Sequence, residues 1–566
     1  MAIKDFLKRK YDYFIGFIAI TAFFVLLVEK SAYLQPYSFL IGEFNLAVSL
    51  IFVCDILMRY LAARDRKRYI LRNWWDLLVF VPFIQLVRGL DSTPAFVIVR
   101  QVVIIAILLS RIRRSTKLIN LLSLKPAQMM IATFAFAIGF GAILLMLPAA
   151  AKDGVPTSLT DALFTATSAT CVTGLTVFDT GAHFSLFGQI VILGLIQVGG
   201  LGIMTFSVSM ALIMGKRIDM KQEAMMSDIL DESSLARVKN MVAYIVKMTF
   251  LCEAAGAAVL FVSWIGRTGG VLKTAYFAVF HAISAFCNAG FSTFSDNLVR
   301  FRADVPTNIV ICGLIIIGGL GFTVIRDLQD HFRIKCNPAV RRKARLKMHT
   351  RVVLWMSLVL IAGGAAAFYF LEKDASFAGF GLKGTILASV FQSVTARTAG
   401  FNSCSIAQLT GPSMLLMMLL MFIGGSPGST AGGVKTTTMS VLGSMMISEF
   451  RGREHAEIAR RTVPPGVVRK AMIIFFLSSV LVFVFAAVLL AWERGPFLPV
   501  VFETVSAFGT VGLSADLTGS LSSRGKLLIT ALMFIGRLGP LTIGYAFLRH
   551  HAQPRYEYAR ESVAIG

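Results

Sequence analysis

Long apolar stretches recur along the whole chain. They include residues 14–28, 131–148, 186–214, 305–325 and 470–490. A bilayer-spanning helix needs about 20 mainly apolar residues, and only helices or closed barrels satisfy the backbone inside a membrane. The chain is 56% hydrophobic and only 15% charged, whereas an average soluble domain carries about a quarter charged residues. We therefore predict an all-α polytopic membrane protein.

The net charge of +24 is distributed unevenly. Lys and Arg crowd into loops such as 64–72 and 333–347, whereas the loops at 31–37 and 269–272 carry no charge. This alternation is the positive-inside bias of membrane topology. It argues against binding of nucleic acid and for contact with membrane lipid. It also predicts a multi-pass protein of the bacterial inner membrane with both termini cytoplasmic.

Two landmarks recur four times. Small or hydroxyl residues precede a glycine and a bulky apolar residue at Gly174, Gly290, Gly400 and Gly512, with spacings of 116, 110 and 112 residues. A second glycine-rich segment begins 24 to 28 residues after each of these, at Gly199, Gly318, Gly424 and Gly536. Landmarks that keep register through four copies predict internal repeats. Each repeat reads as a helix, a short re-entrant helix, a glycine-bearing loop and a second helix.

The repeats have definite expected limits. They span residues 126–215, 235–328, 348–449 and 465–550. The helix pairs are expected at 131–149 and 186–213, 240–265 and 305–326, 350–371 and 413–449, and 467–492 and 525–548. The short helices begin near Leu159, Lys273, Gly384 and Pro499. Four further helices in a block at 1–125 bring the total to about twelve crossings, and a short tail follows at 551–566.

The four glycine loops have a chemical use. Irregular backbone at membrane depth survives only where it is buried in protein or lines a watery cavity. Four such loops around one axis would form a pseudo-symmetric pore, and a ring of backbone carbonyls can replace the hydration shell of a monovalent cation. Glycine lets the chain take positive φ and turn these carbonyls. The loops contain no Asp or Glu, which argues against selectivity for a divalent cation.

The same loops resemble those of bacterial members of the Trk/Ktr/HKT potassium-uptake family. The resemblance covers roughly residues 126–550 and implies that the loop carbonyls form a filter binding K⁺, the transported ion. Glycine at all four terminal positions implies a preference for K⁺. A Na⁺-conducting or mixed Na⁺/K⁺ member of the same fold is the alternative. The implied filter residues are Thr170, Cys171, Val172, Thr173, Gly174, Cys287, Asn288, Ala289, Gly290, Arg397, Thr398, Ala399, Gly400, Gly509, Thr510, Val511 and Gly512.

The third repeat departs from the others between residues 421 and 438. Its glycines and proline rule out a stable continuous helix, since Gly costs about 1 kcal/mol and Pro about 3 kcal/mol relative to Ala. A loop between two short helices is one interpretation, and the resemblance implies a mobile intramembrane gate. The gate residues are Gly424, Gly425, Ser426, Pro427, Gly428, Ser429, Thr430, Ala431, Gly432, Gly433, Lys435 and Arg537.

Two arginines in the repeats need an explanation. Arg537 replaces a glycine of the other repeats and is expected at mid-helix, where a charge usually faces a cavity or a partner. The resemblance implies that it projects into the pore beneath the filter as an electrostatic barrier. Arg397 lies within a filter loop and would repel cations if it faced the axis. We expect it to point behind the loop and bind carbonyls or a carboxylate.

The N-terminal block resembles part of a voltage sensor. Residues 54–60 and 69–77 are similar to the second and third helices of such domains. The fourth apolar segment lacks an arginine ladder, since Arg100 alone precedes a charge-free run. Voltage gating needs several charges that move through the field. A structural accessory and a working sensor both remain open.

The resemblance also implies partners. Family members form homodimers that bind a cytosolic ring of nucleotide-binding subunits of the RCK type, and the basic loops at 333–351 and 451–469 are the expected docking surface. No organic cofactor is expected on this chain. An intramembrane hydrolase is a poor alternative, because Ser429 has no histidine placed as its base.

Overall fold

A computed structural model describes residues 126–202, 235–336 and 345–547, together with five isolated positions at 47, 50, 51, 54 and 58. The predicted N-terminal block at 1–125, apart from those five positions, lies outside the described residues, and so does the tail at 551–566. The same holds for the end of the predicted helix 186–213 and for the basic residues 337–344.

Four successive stretches of chain share one order of elements, and we call them units 1 to 4. Unit 1 contains α1 (Pro126–Leu145), α2 (Leu159–Thr170), α3 (Thr180–His183) and α4 (Leu186–Leu201). Unit 2 contains α5 (Leu235–Trp264), α6 (Val271–Cys287), α7 (Val305–Leu320) and α8 (Phe322–Cys336). Unit 3 contains α9 (Met348–Glu372), α10 (Gly381–Thr395), α11 (Gly411–Phe422) and α12 (Thr436–Phe450). Unit 4 contains α13 (Pro465–Glu493), α14 (Phe497–Gly509), α15 (Ser523–Leu538) and α16 (Pro540–Phe547).

The predicted helical fold class is confirmed. Strand within the described residues is limited to an antiparallel hairpin between units 3 and 4, in which β1 (Glu457–Ile458) pairs with β2 (Arg461–Thr462). One-turn 3₁₀ helices follow α1 and three of the glycine-bearing loops, at Pro148–Ala150, Val299–Phe301, Ile406–Gln408 and Thr518–Ser520.

The long helices lie outside and the short helices lie inside. Among the described residues, four helices are long and apolar enough to cross a membrane, over Gln128–Leu145, Val242–Trp264, Met348–Glu372 and Pro465–Glu493. Only 17% to 28% of their residues are buried by protein. Large apolar side chains such as Phe136, Trp355 and Phe483 are exposed on them, as a lipid-facing surface requires. In the short helices, by contrast, Phe164, Phe280, Phe391 and Phe502 are fully buried.

Side-chain caps start α4, α7 and α15, three of the four helices that return after the glycine loops. Ser185 accepts a hydrogen bond from Gly188 N at 3.3 Å, Asp304 from Thr307 N at 3.1 Å and Ser522 from Gly525 N at 3.2 Å. Such caps satisfy backbone donors that have no partner within the helix. The short helices themselves begin at Leu159, Val271, Gly381 and Phe497, within three residues of the predicted starts.

The helices predicted to be continuous at 305–326 and 525–548 are broken in the structure. α7 ends at Leu320 and α15 ends at Leu538, and the next residues, Gly321 and Gly539, have φ of 89° and 83°. Their ψ values of 143° and 137° place them in a region that is essentially restricted to glycine. α7 and α8 therefore meet at 99°. The glycine-rich landmarks mark breaks, which the prediction placed at helix midpoints.

Candidate cation pore and gate

The four loop glycines lie in one closed ring. Their φ values are 94°, 69°, 78° and 93° for Gly174, Gly290, Gly400 and Gly512. A Cβ added to any of them would overlap the carbonyl oxygen of the residue before the next glycine. In chain order these oxygens belong to Ala289, Ala399, Val511 and, closing the circle, Thr173. Each unit therefore contacts the next through its glycine, and unit 4 contacts unit 1.

The residue two positions before each glycine is also left-handed. Val172, Asn288, Thr398 and Thr510 have φ of 57°, 61°, 69° and 50°. None of them is glycine, and a β-branched valine at positive φ is a genuine outlier that costs of order 1–3 kcal/mol. This conformation was not predicted from the sequence. Asn288 was its only local signal, because asparagine tolerates the left-handed region.

Backbone hydrogen bonds hold the loops from behind. The N–H of the residue before each glycine donates to the end of its own short helix. These bonds are Thr173 N to Ser168 O at 2.7 Å, Ala289 N to Ser284 O at 2.7 Å, Ala399 N to Thr395 O at 3.0 Å and Val511 N to Ser506 O at 2.9 Å. The carbonyl oxygens of the same four loop residues accept no hydrogen bond within the described part of the chain. Buried carbonyls are rarely left unpaired, so this ring offers free acceptors.

Hydroxyl groups on the short helices add a second restraint that the sequence analysis missed. Ser168 Oγ accepts from Gly174 N and Ser506 Oγ accepts from Gly512 N, both at 3.1 Å. In the other two units the hydroxyl donates instead, from Ser284 to Phe291 O at 2.8 Å and from Thr395 to Phe401 O at 2.7 Å. A hydroxyl five or six residues before each glycine is the signal that could have found them.

Further oxygen atoms and the helix dipoles favour a cation at the ring. The hydroxyls of Thr170, Thr173, Thr398 and Thr510 are buried and have no hydrogen-bond partner among the residues that the structure describes. All four short helices end at the loops, so their partially negative C-termini lie there. No cluster of His, Cys, Asp or Glu that could hold a metal ion occurs among the described residues. The arrangement suits a cation bound by backbone oxygen.

Arg397 lies behind its loop, as predicted, but without the predicted partner. Arg397 is 9% exposed and lines a small cavity together with residues of α7 and α9, such as Ile315 and Ile361. No hydrogen bond joins Arg397 Nε to a carbonyl or carboxylate of the described residues.

The interruption predicted in unit 3 is confirmed. Between α11 and α12 the chain runs without helix from residue 423 to residue 435, and we call this segment the crossing loop. Its two ends pair with each other, since Gly424 N donates to Val434 O at 2.9 Å. Ser429 Oγ donates to Ser426 O at 2.6 Å, which gives this serine a structural role within the loop.

The crossing loop joins unit 2 to the region beside the ring. Ser426 N donates to Gly319 O at 3.0 Å and Thr430 N donates to Gly318 O at 3.2 Å. Phe322 N donates to Gly428 O at 3.2 Å, across the break between α7 and α8. At its other side, a Cβ on Gly432 would overlap the hydroxyl of Thr510, a residue of the unit 4 loop.

Two positively charged side chains bind carbonyl oxygens of this loop region. Lys435 Nζ donates to Ala431 O at 2.7 Å. Arg537 donates to Thr430 O through Nη1 and to Gly199 O of α4 through Nη2, the second at 2.5 Å. Arg537 belongs to the last turn of α15, so its predicted mid-helix position is wrong. The break at Gly539 ends the helix there and leaves the guanidinium bridging unit 1 and the crossing loop.

The second set of glycines allows close packing behind the ring. A Cβ on Gly199, Gly318 or Gly536 would overlap the carbonyl oxygen of Thr170, Phe286 or Phe508, respectively. Each of these oxygens belongs to the end of the short helix in the same unit. In unit 3 the equivalent Gly424 instead lies against Gly432 of the crossing loop.

Residues 93–558 match the family described as TrkH, cation transport protein. The chain is 40% identical over 436 residues to Ktr system potassium uptake protein B of Bacillus subtilis, covering 76% of this chain and 95% of that protein. It is 38% identical to potassium/sodium uptake protein NtpJ of Enterococcus hirae, covering 78% of this chain and 98% of that protein.

Among solved structures, the potassium transporter TrkH of Vibrio parahaemolyticus has a similar fold. The TM-score is 0.60 at 17% sequence identity, with 94% of this chain and 98% of that chain covered. The family match spans most of the chain, and the relatives are covered almost completely. The chain therefore belongs to the TrkH family of cation transport proteins.

Proposed function

We propose that this chain is the K⁺-conducting subunit of a potassium-uptake system in the bacterial inner membrane, with both termini cytoplasmic. In this proposal the four units are pseudo-symmetric repeats around one pore, and the N-terminal block adds four more helices. The observation that carries it is the closed glycine ring with its free carbonyl oxygens. The Bacillus subtilis relative is a potassium uptake protein, which agrees with it.

The proposed filter consists of the loop residues of the four units. Carbonyls that accept no hydrogen bond from protein can replace the water around a dehydrated K⁺ ion. The left-handed residues at two positions in each loop let consecutive carbonyls turn toward the axis, which an ordinary extended chain does not do. Arg397 contributes its backbone only, because its side chain lies behind the loop.

The proposed gate is the crossing loop. It lies against Thr510 of the ring on one side and is bound by Arg537 on the other. Movement of the loop would require the bonds to Gly318, Gly319 and Arg537 to break together. A charged guanidinium in the conduction path would also repel a permeating cation.

Growth of a potassium-uptake-deficient bacterium tests the function directly. Expression of this chain, alone or with its native regulatory subunit, is expected to restore growth at micromolar K⁺. Rescue by Na⁺ uptake alone, with no K⁺ accumulation, would contradict the proposal. The control is the same chain carrying Gly174→Ser and Gly512→Ser together, which places two side chains in the ring and is expected to lose the preference for K⁺.

The alternative function is conduction of Na⁺ or of both ions. The named function of NtpJ, potassium/sodium uptake, favours it. Competition between the two ions in the same cells separates the alternatives, because a K⁺ filter keeps its K⁺ uptake in excess Na⁺.

We also propose a homodimer that binds a cytosolic ring of nucleotide-binding RCK-type subunits. The strongly basic inward segments, 333–351 and 451–469, would dock an acidic surface or the anionic lipid headgroups. Opposite charges steer and hold such partners at long range.

Charge reversal tests the docking surface. Substitution of Glu for Arg341, Arg342 and Lys343 together is expected to abolish co-purification of the regulatory ring from native membranes. Reversals at Arg267 and Lys273, on the opposite side of the predicted membrane, serve as controls. Full nucleotide-regulated flux from the purified chain alone would show that no such partner is required.

A further inference from the structure

Three of the short helices carry a buried polar side chain that binds the segment after the ring glycine. They are His281 in α6, Gln392 in α10 and Glu503 in α14, and each is 0% exposed. His281 and Glu503 occupy the same position, nine residues before their glycines, and Gln392 lies eight before its own. A buried polar group is costly unless it is hydrogen-bonded. Two such groups at the same position, and a third one residue away from it, therefore need a common reason.

In unit 2 the imidazole joins two stretches of chain. Nδ1 lies 2.8 Å from Phe277 O, which can only accept, so Nδ1 carries a proton. Nε2 lies 2.9 Å from Ser292 Oγ, two residues after Gly290. The ring also stacks on Phe294, with centroids 4.6 Å apart. His281 thus ties the segment after the glycine to the short helix.

In unit 3 an amide makes the corresponding connection. Gln392 Nε2 donates to Ser403 Oγ at 3.3 Å and to Cys404 Sγ at 3.0 Å. These two residues come three and four positions after Gly400. Phe391, its neighbour, fills the position that His281 and Glu503 hold in the other units and is also buried. An apolar side chain therefore fits there, and polarity is not a packing requirement.

In unit 4 a carboxyl group holds the same segment. Glu503 accepts a hydrogen bond from Thr518 Oγ1, and that hydroxyl lies 3.1 Å from Ser514 Oγ. Ser514 is two residues after Gly512, the place that Ser292 holds in unit 2. The second carboxyl oxygen of Glu503 is buried and has no partner in the described part of the chain.

Unit 1 lacks this connection. Thr165 lies nine residues before Gly174, and its hydroxyl donates within its own helix, to Asp161 O at 2.8 Å. Unit 1 is instead fixed at the start of α2, where Asp161 pairs with Lys526 of α15 at 2.7 Å. It therefore supplies an internal control for the other three.

We propose that His281, Gln392 and Glu503 are positioning residues that determine ion specificity. This inference rests on the proposed filter. Na⁺ is smaller than K⁺, so the carbonyl ring must contract to coordinate it. Each buried side chain anchors its loop on the far side of the glycine, while the short helix anchors the near side, and together they oppose contraction. A binding site discriminates only when such supporting groups lock its ligands in place.

The test compares initial uptake rates of K⁺ and Na⁺ for the full-length chain in cells that lack other K⁺ uptake. The ratio of the two rates does not depend on the amount of protein in the membrane. Glu503→Ala and Thr518→Val, which remove opposite ends of one bond, are expected to lower the K⁺/Na⁺ ratio roughly tenfold. That is the lower end of the loss seen when ligand-orienting partners are removed from metal sites.

Conservative variants and a matched control complete the design. Glu503→Gln keeps an oxygen that accepts from Thr518, and Thr518→Ser keeps the hydroxyl, so both are expected to retain the parental ratio. Thr165→Val in unit 1 is expected to retain it as well. If Glu503→Ala fails to reach the membrane, Thr518→Val decides alone, since Thr518 lies in a turn outside the helix.

Gly512→Ser in the same assay distinguishes failure of the positioning role from failure of the filter assignment. If Gly512→Ser lowers the K⁺/Na⁺ uptake ratio while Glu503→Ala and Thr518→Val keep the parental ratio, the positioning role is overturned and the filter assignment stands. Lower total uptake at an unchanged ratio overturns the positioning role too, because that is a stability effect. Parental ratios for Gly512→Ser and for the same substitution at the other three ring glycines together overturn the filter assignment itself.

Discussion

Gly174→Ser is expected to lower the K⁺/Na⁺ permeability ratio at least tenfold and to admit Na⁺. The added Cβ would overlap the carbonyl oxygen of Ala289, and the residue must keep φ at 94°. Left-handed backbone costs a residue with a side chain about 1–2 kcal/mol. The loop must shift to relieve both, and a shift of the carbonyls changes the ion that they fit. Reversal potentials or paired ion fluxes measure the ratio.

The structure also predicts an order among the four glycines. At Gly290 the nearest carbonyl oxygen, that of Ala399, is 2.8 Å from the added Cβ, and at the other three positions the oxygen is closer. Gly290→Ser should therefore change the ratio least. Gly313→Ser is the matched control, because a Cβ there meets nothing within 4 Å. Unchanged K⁺/Na⁺ ratios in all four single variants of the ring would contradict the filter assignment.

Deletion of Gly425–Gly433 is expected to raise basal K⁺ flux about tenfold or more. The deletion removes the bonds from Ser426 and Thr430 to α7 and the bond from Arg537 to Thr430 O. Each neutral bond contributes about 1 kcal/mol and a charged one about 1.5–3 kcal/mol, and 1.4 kcal/mol is a factor of ten. The new junction needs only local closure, because Gly424 and Val434 already lie side by side. Flux into liposomes without the regulatory subunit measures the effect.

A point variant checks the same proposal without a deletion. Arg537→Gln removes the charge and weakens both bonds to carbonyl oxygens, so we expect a smaller rise in flux in the same direction. Arg524→Gln, on the exposed start of the same helix, is the control. Loss of all flux in a deletion protein that folds and reaches the membrane would show that the crossing loop is scaffold.

Local composition was enough to predict several features. Apolar length predicted the membrane-spanning helices, and the periodic glycines predicted where each loop lies, because only glycine takes positive φ freely. The Gly and Pro content of residues 424–433 predicted the interruption in unit 3 for the same reason. These properties depend only on residues that are neighbours in the sequence, so they can be predicted without the tertiary structure.

Only the tertiary structure decided how these parts meet. Closure of the ring places Gly512 against Thr173, more than three hundred residues away, and no local pattern reports such a contact. The left-handed Val172 is held against its own preference by hydrogen bonds on either side of it, from Cys171 N and Thr173 N to its short helix. Arg537 donates to carbonyl oxygens of two other units, whereas the sequence showed only that a charge lies within an apolar helix. Long-range packing overrides local propensity at these positions. The same packing holds the ring carbonyls where no protein group donates to them.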